Sequence, residues 1–185
     1  MTDASPVVLV GGSRILTRRN DGRAWALDVL RAQITPDVVL VTGDARGPDA
    51  WAVEVAREVG ASWRSYALDG FVYGPAGVCR DADERPVRWT TRTPPPPWSE
   101  RLTDAEKRAR KAWCLYRDRV MVEHCAKAMR SGRRVTMVAC IDLDSATQGT
   151  DYTAGVARGL GLEVARYQYP NTTPDAETHL NAGTA

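Results

Sequence analysis

A chain of 185 residues, 43% of them hydrophobic, is long enough to bury one substantial core. With 26% charged residues and a formal net charge of only +2, bulk charge is excluded as the basis of its binding. The four cysteines, Cys79, Cys114, Cys125 and Cys140, form no CxxC pair, and His124 and His179 form no metal-spaced cluster. Zinc-knuckle and thioredoxin-like redox motifs are thereby excluded, and neither a metal nor a cofactor is expected.

Residues 1–6 carry no basic segment ahead of the short apolar run at 7–10. No signal or membrane segment is read there, and a cytoplasmic protein with no membrane partner is expected. The run Val7-Val8-Leu9-Val10, ending in Gly11-Gly12-Ser13, predicts a buried strand that turns out of a sheet. Leu27, Leu30 and Ile34 recur at helical spacing until Thr35-Pro36, which predicts a helix over 23–34. Val38-Val39-Leu40-Val41-Thr42 predicts a second strand. After the loop Gly43-Asp44-Ala45-Arg46-Gly47-Pro48-Asp49, residues Ala52, Val55, Ala56 and Val59 share one helical face, with Gly60 as C-cap. Residues 62–68, with Trp63, Tyr66 and Leu68, predict a weaker third strand.

From 69 to 100, glycines and the run Pro94-Pro95-Pro96-Pro97 break the rhythm. This Pro-rich insertion is either a lid whose Trp89 and Trp98 cover a ligand or a variable surface segment. Thr103-Asp104-Ala105-Glu106 has the spacing of a capping box. It opens a long helix ended by Ser131-Gly132, on which Arg117, Met121, His124 and Ala128 share a face. Residues 135–141 predict a fourth strand, 142–149 a polar loop, Val156, Ala157 and Leu160 a helix closing at Gly161, and 163–169 a fifth strand. A single domain over 1–170 is expected, followed by a poorly ordered tail at 171–185.

Strands alternating with helices, several of them continuously apolar, predict an α/β fold: a Rossmann-like, doubly wound parallel sheet of about five strands with helices on both faces. Ligands of such sheets bind beyond the carboxyl ends of the strands, where the strand order reverses. Three loops leave strand ends there: Gly12-Ser13-Arg14, Gly43 to Asp49, and Ser145-Ala146-Thr147-Gln148-Gly149-Thr150. Each joins glycine, which lets backbone N–H groups approach an anion, to a hydroxyl or arginine donor. The candidate ligand-binding residues are Gly12, Ser13, Arg14, Gly43, Asp44, Ala45, Arg46, Gly47, Asp49, Gln148, Gly149 and Thr150, with Arg117 and Met121 from the long helix. Asp49 is more simply read as a complement to its helix dipole. Arg117 sits on the apolar side of its helix, where an unpaired guanidinium is costly. Neither GxGxxG nor GxxxxGK[ST] occurs, which counts against a generic dinucleotide site or a P-loop.

Taken in order, Gly12-Ser13-Arg14, the loop Gly43 to Asp49, Arg117-Asp118-Arg119-Val120-Met121 and Gly149-Thr150 resemble the SLOG superfamily, and within it the YspA-like branch. The resemblance covers residues 7–169, interrupted by the Pro-rich insertion. It implies a Rossmann-like fold, a nucleotide or nucleotide-derived ligand, and a homodimer. The related Lonely guy enzymes cleave the N-glycosidic bond of nucleoside monophosphates, using an arginine from an RKxxM helix and a glutamate from a PGGxGTxxE loop. Arg117 and Met121 match the first motif and Gly149-Thr150 the core of the second, but the glutamate position holds Thr153. Asp142, Asp144 and Asp151 are the candidates to replace it, each equally explained as a loop or capping acid. Arg117 and Asp144 form the candidate catalytic pair.

Three functions are therefore open: binding of a nucleotide-derived small molecule without turnover, hydrolysis at an N-glycosidic bond, and nucleic-acid binding. The last rests on residues 101–134, where eleven Lys or Arg face four Asp or Glu. It is set behind the small-molecule reading, because a basic helix face without a docking motif is more simply a solvated one.

Overall fold

A computed structural model describes residues 5–97, 99, 101–142 and 148–170, with Gln148 described in its backbone alone. Asp144 and the rest of 143–147, Trp98, and the tail 171–185 with His179 lie outside the described residues. In chain order the elements are β1 (Val7–Gly12), a short 3-10 helix (Arg14–Arg18), α1 (Gly22–Gln33), β2 (Val39–Gly43), α2 (Pro48–Val59) and β3 (Ser62–Tyr66). There follow β4 (Val72–Gly74), β5 (Gly77–Val78), α3 (Asp104–Arg130), β6 (Val135–Asp142), α4 (Gln148–Gly159) and β7 (Glu163–Tyr169).

The strands form one sheet in the order β5-β4-β3-β2-β1-β6-β7. β1 pairs in parallel with β2 and with β6, Leu9 lying opposite Val41 on one side and Met137 on the other. β3 and β7 extend the parallel set outward. Side chains alternate along β1: Val7 and Leu9 join a core cluster with α3 and α4, while Val8 and Val10 join one with α1 and α2. Both faces of the sheet are thus buried, which is why its central strands are continuously apolar rather than alternating.

The expected parallel set of five strands is present, and two short antiparallel strands at the β3 edge raise the total to seven. They come from the insertion, whose strands of three and two residues are too short to show periodicity. The insertion is anchored on α3. The Trp89 indole N–H donates to the Ala67 carbonyl at 2.7 Å and that of Trp113 to the Leu68 carbonyl at 3.1 Å. The Trp89 and Trp113 rings lie 5.1 Å apart, with Tyr116 5.7 and 6.0 Å from them. Trp89 is buried in this cluster, so its ring is not a free lid face. The capping box forms as expected: the Glu106 backbone N–H donates to the Thr103 hydroxyl, and the Thr103 N–H to the Glu106 carboxylate at 2.8 Å.

Candidate functional site

The strand order reverses between β1 and β6, so the crevice beyond their carboxyl ends is where side chains and loops from both halves of the sheet converge. Gly12 closes β1 there. A Cβ at this position would collide with the Pro48 ring and lie 2.9 Å from the Cys140 carbonyl, so only glycine lets β1, β6 and the start of α2 approach so closely. The following residues fold into the 3-10 helix rather than an open glycine loop, with the Ser13 hydroxyl accepting from the Ile15 N–H at 3.4 Å.

Arg117 reaches this edge from the middle of α3 and is buried. Its Nη1 donates to Asp44 Oδ1 at 2.5 Å, and its Nε and Nη2 donate to Asp118 Oδ1 at 3.0 and 2.8 Å. The other carboxylate oxygen of Asp118 lies 3.2 Å from the Thr153 hydroxyl, itself 2.9 Å from the Gly149 carbonyl. One guanidinium thus ties the loop after β2, the long helix and the start of α4 to one another. Gly43 accommodates it: a Cβ there would meet Arg117 Nη2 at 2.7 Å and Asp49 Oδ2 at 2.6 Å. Burial works against the charge on Arg117, but Asp118, Asp49 and Asp44 together outweigh it, so the guanidinium holds its proton more tightly than usual.

Asp49, in the first turn of α2, is buried, and its carboxylate accepts from the Ala45 N–H at 3.3 Å. Desolvation raises its pKa from 3.8 to about 7, against the attraction of Arg117. Desolvation prevails because the carboxylate and guanidinium form no direct ion pair. Two of the expected ligand arginines differ from Arg117. Arg14 and Arg46 are exposed, and neither forms an ion pair among the described residues. Burial, with Asp118, raises the Cys114 thiol on α3, and Arg117, Arg14 and Arg110 oppose that rise.

Four expected segments therefore meet at one edge: Gly12 to Arg14, Gly43 to Asp49, Arg117, and Gly149-Thr150. Met121 does not join them. It lies one turn further along α3 and packs in the core cluster with Leu9 and Val41. Of the three aspartates considered as replacements for the missing glutamate, Asp142 is buried in a bidentate pair with Arg19, at 2.6 and 3.0 Å. Asp151 lies at the surface against Arg166 at 3.3 Å, and Asp144 falls outside the described residues. The carboxylate that does meet Arg117 within its own helix, Asp118, escaped the sequence reading, although Arg117-Asp118 stands in the motif itself. Thr153, at the glutamate position, serves as its hydroxyl partner.

Among the described residues no group of three or more His, Cys, Asp or Glu is placed to hold a metal ion, and no helix is long and apolar enough to cross a membrane.

The 3-2-1 half formed by β3, β2 and β1, continued by β6 and β7, with helices on both faces and loops gathered at the reversal point, defines a Rossmann-like α/β protein. No family model and no curated protein matches the chain. Among solved structures it is similar to DNA processing protein A (DprA) from Streptococcus pneumoniae, with 17% sequence identity and a TM-score of 0.40 over 86% of this chain and 58% of that one. The chain thus spans less than two thirds of that protein, and at this level of likeness no activity passes from one to the other.

Proposed function

We propose that the protein binds a nucleotide or nucleotide-derived ligand through its phosphate, in the crevice between the carboxyl ends of β1 and β6, as the resemblance to the SLOG superfamily implies. The observation that carries this reading is the pairing of a fixed base with open donors. Arg117 is spent internally on Asp44 and Asp118, holding three elements in register, while Arg14 and Arg46, from the segments that follow β1 and β2, stand exposed without ion-pair partners among the described residues. Exposed guanidiniums beside a helix start suit a phosphate, and their planar forks can bind it in bidentate fashion. Arg117 is then a positioning residue, and binding rather than turnover is the function assigned.

The test is mass spectrometry of the natively purified protein for a retained ligand, followed by calorimetric titration with nucleoside monophosphates. Losing a charge-assisted hydrogen bond of about 1.5–3 kcal/mol, Arg14→Ala and Arg46→Ala are each expected to weaken binding by about tenfold to a hundredfold. Unchanged affinity in the double variant would remove the site. Release of free base from a bound monophosphate would replace the binding reading with the hydrolytic one.

A further inference from the structure

A separate concavity lies away from the crevice, between α3 and the β3 edge of the sheet. Its volume is about 150 Å³, and it is lined by Arg64, Arg80, Arg88, Tyr66 and His124, with Val72, Cys79 and Val87 as its apolar floor. Three arginines line it and no carboxylate is among its lining residues. None of the three forms an ion pair among the described residues. Arg64 makes no hydrogen bond there, Arg80 donates to the Glu84 carbonyl at 2.5 Å, and Arg88 stacks on the Phe71 ring at 4.6 Å. The nearest acid on α3, Glu123, is paired with Arg119 at 2.8 Å. Beside the arginines, the Tyr66 hydroxyl and His124 Nδ1 are hydrogen-bonded at 2.8 Å, which holds the imidazole in place.

Three like charges around one small opening repel one another, and the arrangement is relieved by an anion between them. The volume decides its size. Drug-sized and nucleotide-sized ligands occupy roughly 300–1,000 Å³, so this cavity suits a tetrahedral oxyanion and not a whole nucleotide. Arg88 also lines a neighbouring open groove of about 310 Å³ with Thr90, Thr91, Arg92 and Tyr116, which would receive the organic part of an ester whose phosphate sat in the cavity.

We propose that Arg64, Arg80 and Arg88, with His124 beside them, form a second anion site that takes a phosphate group, as free phosphate or as the terminal group of a phosphomonoester. This site is independent of the crevice, so the two can fail separately. The experiment follows the His124 ring resonances by NMR, assigned with His124→Gln, during titration with inorganic phosphate and with glycerol phosphate, using sodium chloride at matched ionic strength as the control. A saturable shift with the phosphates and none with chloride is expected, weakened at least tenfold in Arg64→Gln and in Arg88→Gln. Both arginines are exposed, so these variants are expected to fold. A response confined to inorganic phosphate would assign the free ion, and a tighter response to glycerol phosphate the ester. The site is disproved if neither phosphate moves His124, if chloride reproduces the shift, or if both arginine variants respond like the wild type.

Discussion

Asp49 and Arg117 lie close together in the same buried corner, but they respond differently to it. The guanidinium finds two carboxylates within hydrogen-bonding distance, whereas the Asp49 carboxylate has one long hydrogen bond and a raised pKa of about 7. Between about pH 4 and pH 7 the folded protein keeps a proton on Asp49 that the unfolded chain has lost. This contribution is therefore complete in acid and disappears as the pH rises through 7. Asp49→Asn cannot titrate, so its melting temperature relative to the wild type is expected to climb from about pH 5 to about pH 8. Thermal melts at both pH values measure this, and an offset constant with pH would rule out the titration. At this scale the sequence was half legible. Arg117 was identifiable as a buried cation needing partners, because it sits on an apolar helix face. Its partners were not: residues i and i+1 of a helix do not face each other, so Asp118 is reached only because the long arginine folds back, and Asp44 is 73 residues away. Met121 shares the helix face of Arg117 but lies over the sheet rather than at its edge, a depth that spacing alone does not convey.

The elements followed their local signals closely. The capping box, the C-cap glycine of α2 and the last strand at Glu163–Tyr169 stand where the pattern put them, because each is set by neighbours in the chain. The insertion was illegible because it is held by long-range contacts: two indole N–H groups donating to main-chain carbonyls and one tryptophan packed on another from α3. Trp89→Ala removes the centre of that contact, and a large-to-small change of this kind costs about 3–5 kcal/mol. The expected outcome is a lower midpoint in chemical denaturation together with new proteolytic cleavage between residues 69 and 97. Cleavage unchanged from the wild type would mean that the insertion is held elsewhere.

For the molecule as a whole, the charge-rich segment 101–134 is less bare than its composition suggests. Lys107 pairs with Asp104, Arg119 with Glu123 and Arg117 with Asp44 and Asp118, while Arg110 donates to the Pro96 carbonyl and Arg133 to that of Ser5. The last two partners come from elsewhere in the chain, which is why a count of charges could not reveal them. Main-chain carbonyls leave the arginine charges in place, but the helix carries no recognised docking motif, so duplex DNA is expected to bind weakly, with a log–log salt slope no steeper than about −2, the equivalent of one or two phosphate contacts. A slope of about −5 or steeper, measured by fluorescence anisotropy, would favour nucleic acid as the partner. Trp89 and Trp113 form a close pair on the side of α3. Two indoles held 5.1 Å apart at a fixed tilt of 51° share their electronic excitation, so the chain carries a built-in chromophore pair. Its circular dichroism in the near ultraviolet would register whether the inserted segment is seated on the long helix, without any label being attached.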